Sequence, residues 1–89
     1  MVTAFVLINI EDKKLDEIGK ALLAHKGVKE VHVVAGEYDM VAVIRVSDNA
    51  ELSRLLTENI IHTPGVNRTK TLISVKMHSG YDLASMFGV

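Results

Sequence analysis

Two short stretches of this 89-residue chain combine residue types that could bind a small polar ligand. The first is Gly36-Glu37-Tyr38-Asp39, which lies between two apolar runs and is typical of a turn between paired strands. A glycine can take the positive φ that such a turn usually requires, and an aspartate there can accept hydrogen bonds. The second is the pair Thr69 and Thr71, whose hydroxyls share one face of a predicted strand.

Each stretch also has an ordinary structural explanation. An aspartate in a hairpin turn is often solvated, and threonine is common in strands because of its β-propensity. The residues alone support a binding site and a plain turn about equally. Because the hydroxyls lie near a strand end, they could line a pocket together with the turn, and this combination favours a site.

The remaining polar side chains give no pattern of a catalytic or metal centre. The four histidines lack ligand spacing, phosphate-binding glycine loops are missing, and the serines have no evident base partner. Asp12, Asp16 and Glu17 cluster at a predicted helix start, where they suit the helix dipole. The chain has no cysteine, which excludes disulfides and thiol chemistry. We therefore predict no catalytic residue, no metal and no cofactor.

The composition is that of one small domain with an aliphatic core. Hydrophobic residues make up 48% of the chain and aromatic residues only 4%. The 10 basic and 11 acidic residues are mixed along the chain, which predicts no direct binding of nucleic acid. The apolar opening is about half the length of a membrane span and lacks a basic leader. We expect no membrane association and a cytoplasmic location.

The elements that must position the two stretches alternate along the chain. We predict a strand over residues 2–10, a helix that Asp12 caps and Gly27 stops, and a strand over residues 28–35. After the turn come a strand, a helix that begins with a capping box at Asp48, and a last strand over residues 66–78. The apolar faces of the helices are formed by Leu15, Ile18 and Leu22, and by Leu52, Leu55, Leu56 and Ile60.

An internal repeat supports the resulting βαββαβ order. A shift of 38 positions aligns apolar and glycine positions of the two halves, for example Gly27 with Gly65. Right-handed crossovers in both halves place the helices on one face of a four-stranded antiparallel sheet. The fold class predicted is therefore α+β, a ferredoxin-like sandwich. We assign residues 1–78 to this domain and residues 79–89 to its C-terminal tail.

The sheet face without helices is predicted to be apolar. The strand over residues 40–46 carries aliphatic side chains on both of its sides, and strands of this kind need cover on both faces. The simplest cover is a second copy of the same sheet related by a two-fold axis. We therefore expect a homodimer built as a dimeric α/β barrel.

The chain resembles the ligand-binding domain of the Lrp/AsnC family, the leucine-responsive regulatory proteins, over residues 2–77. The resemblance rests on the glycine turn before a hydrophobic strand, on Asp48 before a leucine-rich helix, and on Pro64-Gly65-Val66-Asn67-Arg68-Thr69-Lys70-Thr71. The corresponding module is called the regulation of amino-acid metabolism, or RAM, domain. Family regulators carry an N-terminal helix-turn-helix, and no such segment precedes Val2, so we expect a stand-alone member.

The resemblance implies a dimer that assembles to an octamer and binds a free amino acid between dimers. It also implies modulation of transcription by co-assembly with full-length Lrp/AsnC-like regulators. A zwitterion needs an acceptor for its ammonium group, supplied by Asp39, and donors for its carboxylate, supplied by the glycine turn and the threonine hydroxyls. Tyr38 or Met40 would pack against the ligand's side chain. The predicted ligand-binding residues are Gly36, Tyr38, Asp39, Met40, Thr69 and Thr71.

Two other classes of protein remain open. A dimeric α/β barrel enzyme, of the monooxygenase or isomerase type, uses the same fold to enclose a cavity. The scarcity of aromatic residues and the lack of a His/Asp/Arg constellation disfavour it. A purely structural assembly subunit would show no effect of any ligand. We predict that the chain is not an enzyme.

Overall fold

The computed structural model describes residues 1–11 and 14–80. The elements in chain order are β1 (Val2–Ile10), α1 (Leu15–Leu23), β2 (Val28–Val33), β3 (Met40–Val46), α2 (Asn49–Arg54), a π-helical segment (Leu55–Ile60) that continues α2, and β4 (Val66–Ile73). The strands form one antiparallel sheet in the order β2-β3-β1-β4. The predicted βαββαβ order and the ferredoxin-like α+β fold are confirmed.

Several element boundaries fall earlier than the prediction. The strand β2 ends at Val33, because its partner β3 begins at Met40, to which Val33 is paired. The strand β4 ends at Ile73, opposite Ala4 near the start of β1. The helix α1 ends at Leu23. The cap predicted at residue 12 lies outside the described residues.

The internal repeat appears in the structure as a pseudo-two-fold axis through the sheet centre. Phe5 and Val43 are equivalent positions of the two halves, and they pair directly in the register of β1 with β3. His25 and Thr63, separated by the same 38 positions, are joined by a hydrogen bond of 2.9 Å between Nε2 and Oγ1. Thr63 is 5% exposed, and its hydroxyl donates to the Asn59 carbonyl at 2.9 Å. The turns that follow the two helices therefore meet at this axis.

The core lies between the sheet and the two helices and is aliphatic, as the composition predicted. Strand residues alternate, so that every second side chain of β1 and β3 points to the helices. The largest fully buried side chains are Val6, Ile8, Leu22, Met40, Ile44 and Ile60.

The second helix begins with the predicted N-cap at Asp48, and the Glu51 side chain returns to Ser47 instead of to Asp48 itself. Asp48 accepts a hydrogen bond from the Glu51 N–H at 2.8 Å, and Glu51 reaches back to the Ser47 N–H at 3.0 Å. After Arg54 the helix widens into the π-helical segment, where Ile61 N–H donates to the Leu56 carbonyl five residues earlier.

The turn after this helix packs tightly against α1. Gly65 has φ +93°, and a Cβ built there would lie 2.5 Å from Ile18 Cδ1. Glycine is therefore required at position 65, both because of the positive φ and because a side chain would clash with Ile18.

The sheet face opposite the helices, here called the open face, is apolar along its centre. Phe5 is 37% exposed and Leu72, its partner on β4, is 46% exposed. Leu7, Val41 and Val43 continue this surface on β1 and β3. None of the described helices is long and apolar enough to cross a membrane.

Candidate functional site: a pocket at the hairpin end

The turn between β2 and β3 is tied to the end of β1 by three hydrogen bonds. The Asp39 N–H donates to the Ile8 carbonyl at 2.9 Å, and the Asn9 side-chain amide donates to the Glu37 carbonyl at 2.9 Å. The Ile10 N–H donates to Asp39 Oδ2, also at 2.9 Å. Within the turn, the Val34 N–H donates to the Asp39 carbonyl at 3.0 Å. The turn is therefore held in place against the central strand.

Asp39 lies immediately before β3, at the end of the strand, as predicted. Its carboxylate also accepts a hydrogen bond from the backbone of β1. The bond to the Ile10 N–H extends the contact between the hairpin and β1 beyond the last paired residues of the sheet. No local sequence pattern indicates this bond, because it joins residues 29 positions apart.

An open pocket of about 310 Å³ lies beside the turn, and we call it the end pocket. Its lining consists of Asn9, Tyr38, Arg68, Thr69 and Lys70. The structure thus brings together Tyr38 from the turn and Thr69 from β4, two of the residues that sequence analysis singled out.

Three lining residues were not predicted. Asn9 faces Arg68 across the pairing of β1 with β4, and Lys70 lies two residues further along the same side of β4. The two cations can donate to a carboxylate, and Arg can do so with two parallel bonds. Two features of the sequence could have indicated these residues. Asn9 is a polar residue within an apolar strand, and Arg68 and Lys70 alternate with the threonines of the last strand.

The other predicted residues lie outside the end pocket. Met40 is fully buried, because it starts β3 on the core side and pairs with Ile8, so it offers no surface to a ligand within one chain. Thr71 is half-buried and pairs with Val6, further along β4. Gly36 is exposed in the turn with φ +148°, and a Cβ built there would meet no atom within 4 Å. Its contribution is therefore the conformation of the turn.

The sheet order, with both helices on one face and the other face open, defines a ferredoxin-like α+β domain. Comparison with known proteins shows the family to which this domain belongs. A model of the Lrp/AsnC ligand binding domain matches residues 3–81. The chain belongs to the Lrp/AsnC family.

Relatives of this chain include longer regulators and similarly small proteins. It is 37% identical to the HTH-type transcriptional regulator FL11 of Pyrococcus abyssi over 75 residues, which cover 84% of this chain and 49% of that protein. The chain thus spans about half the length of the curated relatives it matches. The crystal structure of TTHA0845 from Thermus thermophilus is similar with a TM-score of 0.81 and 38% identity, over 89% of this chain and 99% of that one.

A second similar structure contains an amino acid. The feast or famine regulatory protein Rv3291c from M. tuberculosis, complexed with L-methionine, shares 27% identity with this chain at a TM-score of 0.75. The match covers 92% of this chain and 56% of that protein. FL11 is a transcriptional regulator and Rv3291c a regulatory protein, and regulators of the Lrp/AsnC family bind amino acids.

Proposed function

We propose that this chain is an effector-binding module that takes a free amino acid at the end pocket. The observation that carries the proposal is the meeting of Tyr38, Arg68 and Thr69 in one pocket beside Asp39. An amino-acid zwitterion has one cationic and one anionic group, and this corner of the sheet holds groups of both signs. The L-methionine complex of the similar M. tuberculosis protein supports the same class of ligand.

The recognition proposed uses charge-assisted hydrogen bonds at both ends of the ligand. Arg68 and Lys70 donate to the ligand carboxylate, and Asp39 accepts from the ammonium group. Thr69 lines the same pocket from between the two cations on β4. The ring of Tyr38, which is half-buried, packs against the ligand side chain. Thr71 and the backbone of the Gly36 turn complete the site where a second dimer covers it.

The assembly that we propose begins with a homodimer through the open face. Phe5 and Leu72 expose apolar surface there while both helices cover the opposite face, so a second sheet is the simplest cover. Further assembly to an octamer places a second dimer over each end pocket. Co-assembly with full-length regulators of the family then connects amino-acid binding to transcription, in the cytoplasm, with no catalytic step by this chain.

The direct test is thermal unfolding of the pure protein with each of the twenty amino acids, followed by calorimetry with those that stabilise it. A ligand at a hundred times its Kd stabilises the folded chain by roughly 2.7 kcal/mol. Arg68→Gln should weaken binding by about one to two decades, because it removes a charge-assisted bond to the ligand carboxylate. Lys20→Gln, on the exposed side of α1, is the matched control and should bind as the parent does.

Two results would contradict this function. If no amino acid shifts the unfolding temperature, the chain is a structural assembly subunit or takes a different ligand. If Arg68→Gln binds as tightly as the parent, the amino acid lies outside the end pocket.

A further inference from the structure

A second cleft lies at the other end of β1, and three cations line it. Lys26, Lys29 and Arg45 form its wall together with Gly27, Val46, Ser47, Glu51 and Met1, and its volume is about 560 Å³. We call it the basic cleft. A smaller cleft beside it is lined by Lys26, Glu51, Arg54, Leu55 and Asn59. Because Lys26 and Glu51 line both, the four cations border one continuous depression.

The fold itself gathers these cations. The Arg45 N–H donates to the Gly27 carbonyl at 2.9 Å, so the turn after α1 lies against the end of β3. A Cβ at Gly27 would lie 2.9 Å from Val46 Cγ1, so this approach is close. Lys26 and Lys29 flank that glycine and are thereby brought beside Arg45.

Within the described residues, the charges of these cations are only partly offset by a carboxylate, that of Glu51. In residues 1–11 and 14–80, none of the four forms an ion pair within 4.0 Å. Glu51, the carboxylate of the cleft, accepts bonds from the Ser47 hydroxyl and the Ser47 N–H. These bonds, aided by Lys26 and Arg54, hold the pKa of Glu51 below its usual range, so that it is ionised at neutral pH.

We propose that the basic cleft binds a compact anion with several negative charges, of the oligophosphate class. Three cations converging on a concave surface raise the local concentration of such an anion, and Lys and Arg donate charge-assisted bonds to phosphate oxygens. The cleft and the end pocket lie at opposite ends of a nine-residue strand, roughly 25 Å apart at about 3.3 Å for each residue. The two sites are therefore separate.

A small anion fits this surface better than a duplex of nucleic acid. The chain as a whole carries a net charge of −1, Glu51 lines the cleft, and Asp48 is hydrogen-bonded to the Glu51 N–H. A long polyanion would meet these carboxylates and gain only a few phosphate contacts. A compact anion can sit among the cations without reaching beyond them.

The test is calorimetric titration of the full chain with sodium tripolyphosphate at low ionic strength. The double variant Lys29→Gln, Arg45→Gln should weaken binding about a hundredfold, at roughly tenfold for each charge-assisted contact. Glu51→Gln should bind tripolyphosphate more tightly, because it removes the negative charge of the cleft and keeps an acceptor for Ser47. Raising the salt should weaken binding in all variants.

The controls separate this site from the amino-acid site and from general charge effects. Lys20→Gln removes one cation outside the cleft and should leave tripolyphosphate binding unchanged. The double variant should keep the parent's unfolding temperature and its response to amino acids. The proposal is overturned if millimolar tripolyphosphate gives no binding heat, if Lys20→Gln weakens binding as much as a cleft substitution, or if a DNA duplex binds more tightly than tripolyphosphate.

Discussion

Asp39 joins a structural contact and a proposed ligand contact in one side chain. Its carboxylate accepts the Ile10 N–H at 2.9 Å and so fixes the turn that carries Tyr38. Removal of the whole side chain would therefore disturb the turn as well as the ligand. A substitution that keeps an oxygen acceptor but removes the charge separates the two roles.

Asp39→Asn should keep the bond to Ile10 and lose the attraction for a ligand ammonium group. We expect affinity for the amino acid to fall by about one to two decades, with a smaller loss of stability than Asp39→Ala shows. Asp39→Ala should lose the same affinity and also about 1–2 kcal/mol of stability, because the Ile10 N–H is left without its acceptor. Calorimetry and urea unfolding measure the two effects separately.

The matched control is Glu37→Gln, which removes a charge from the same turn while leaving Asp39 in place. Glu37 takes part in the site through its backbone carbonyl, which the substitution retains. Binding by Asp39→Asn at the parent's affinity would show that this carboxylate does not hold the ammonium group.

Single residues were predictable where a local rule governs them, and were missed where the partner is distant. The capping role of Asp48 follows from the spacing to Glu51, three positions away. By contrast, Met40 was predicted to pack against a ligand because it follows the turn, but strand alternation places its side chain in the core. Arg68 was passed over because its pocket partner Asn9 is remote in sequence and meets it only in the sheet register.

The secondary-structure elements were predicted in type and order because their periodicities are strong. The aliphatic alternation of β1 and β3 and the helical spacing of Ile18 and Leu22 agree with the buried residues. The ends of β2 and β4 were predicted too late, because a strand ends where its pairing with the neighbouring strand ends, which local sequence does not show. The π-helical widening after Arg54 carries no comparable signal in the sequence.

The capping interactions of α2 predict a dependence of stability on pH. Bonds from the Ser47 hydroxyl and N–H, aided by Lys26 and Arg54, lower the pKa of Glu51 from its ordinary value of 4.5. Because the folded chain favours the ionised form, the stabilisation is complete above pH 4.5 and is lost as the pH falls through the lower folded-state pKa.

Glu51→Gln should therefore be less stable than the parent at neutral pH, and the difference should shrink in acid. Urea unfolding at a series of pH values between about 7 and 3 measures this. Glu58→Gln, an exposed position in the π-helical segment, serves as the control and should follow the parent. A constant difference at every pH would mean that ionised Glu51 does not contribute through its bonds to Ser47.

At the scale of the whole molecule, the apolar open face is the proposed dimer interface. Phe5→Lys places a charge at its centre, directly opposite Val43 and beside Leu72. Each chain of the dimer would lose about 2 kcal/mol of apolar burial. The dimer should therefore dissociate about a thousandfold more readily.

Light scattering and sedimentation of the pure protein measure this change. Leu23→Lys, at a half-exposed position at the end of α1, is the matched control and should leave the dimer intact. A Phe5→Lys chain that remains as dimeric as the parent would show that the open face is not the interface.

The pseudo-two-fold axis has a consequence for how the two proposed sites are related. Asn9 in the end pocket and Ser47 in the basic cleft are separated by the repeat length, and so are Lys29 of the cleft and Asn67 beside Arg68. The two proposed sites therefore share one pair of equivalent lining positions, Asn9 and Ser47, while their other lining residues differ. In evolutionary terms, a duplication of the half-chain would have placed the same residue at both of these positions, and the two proposed specificities would have arisen from the different residues around them.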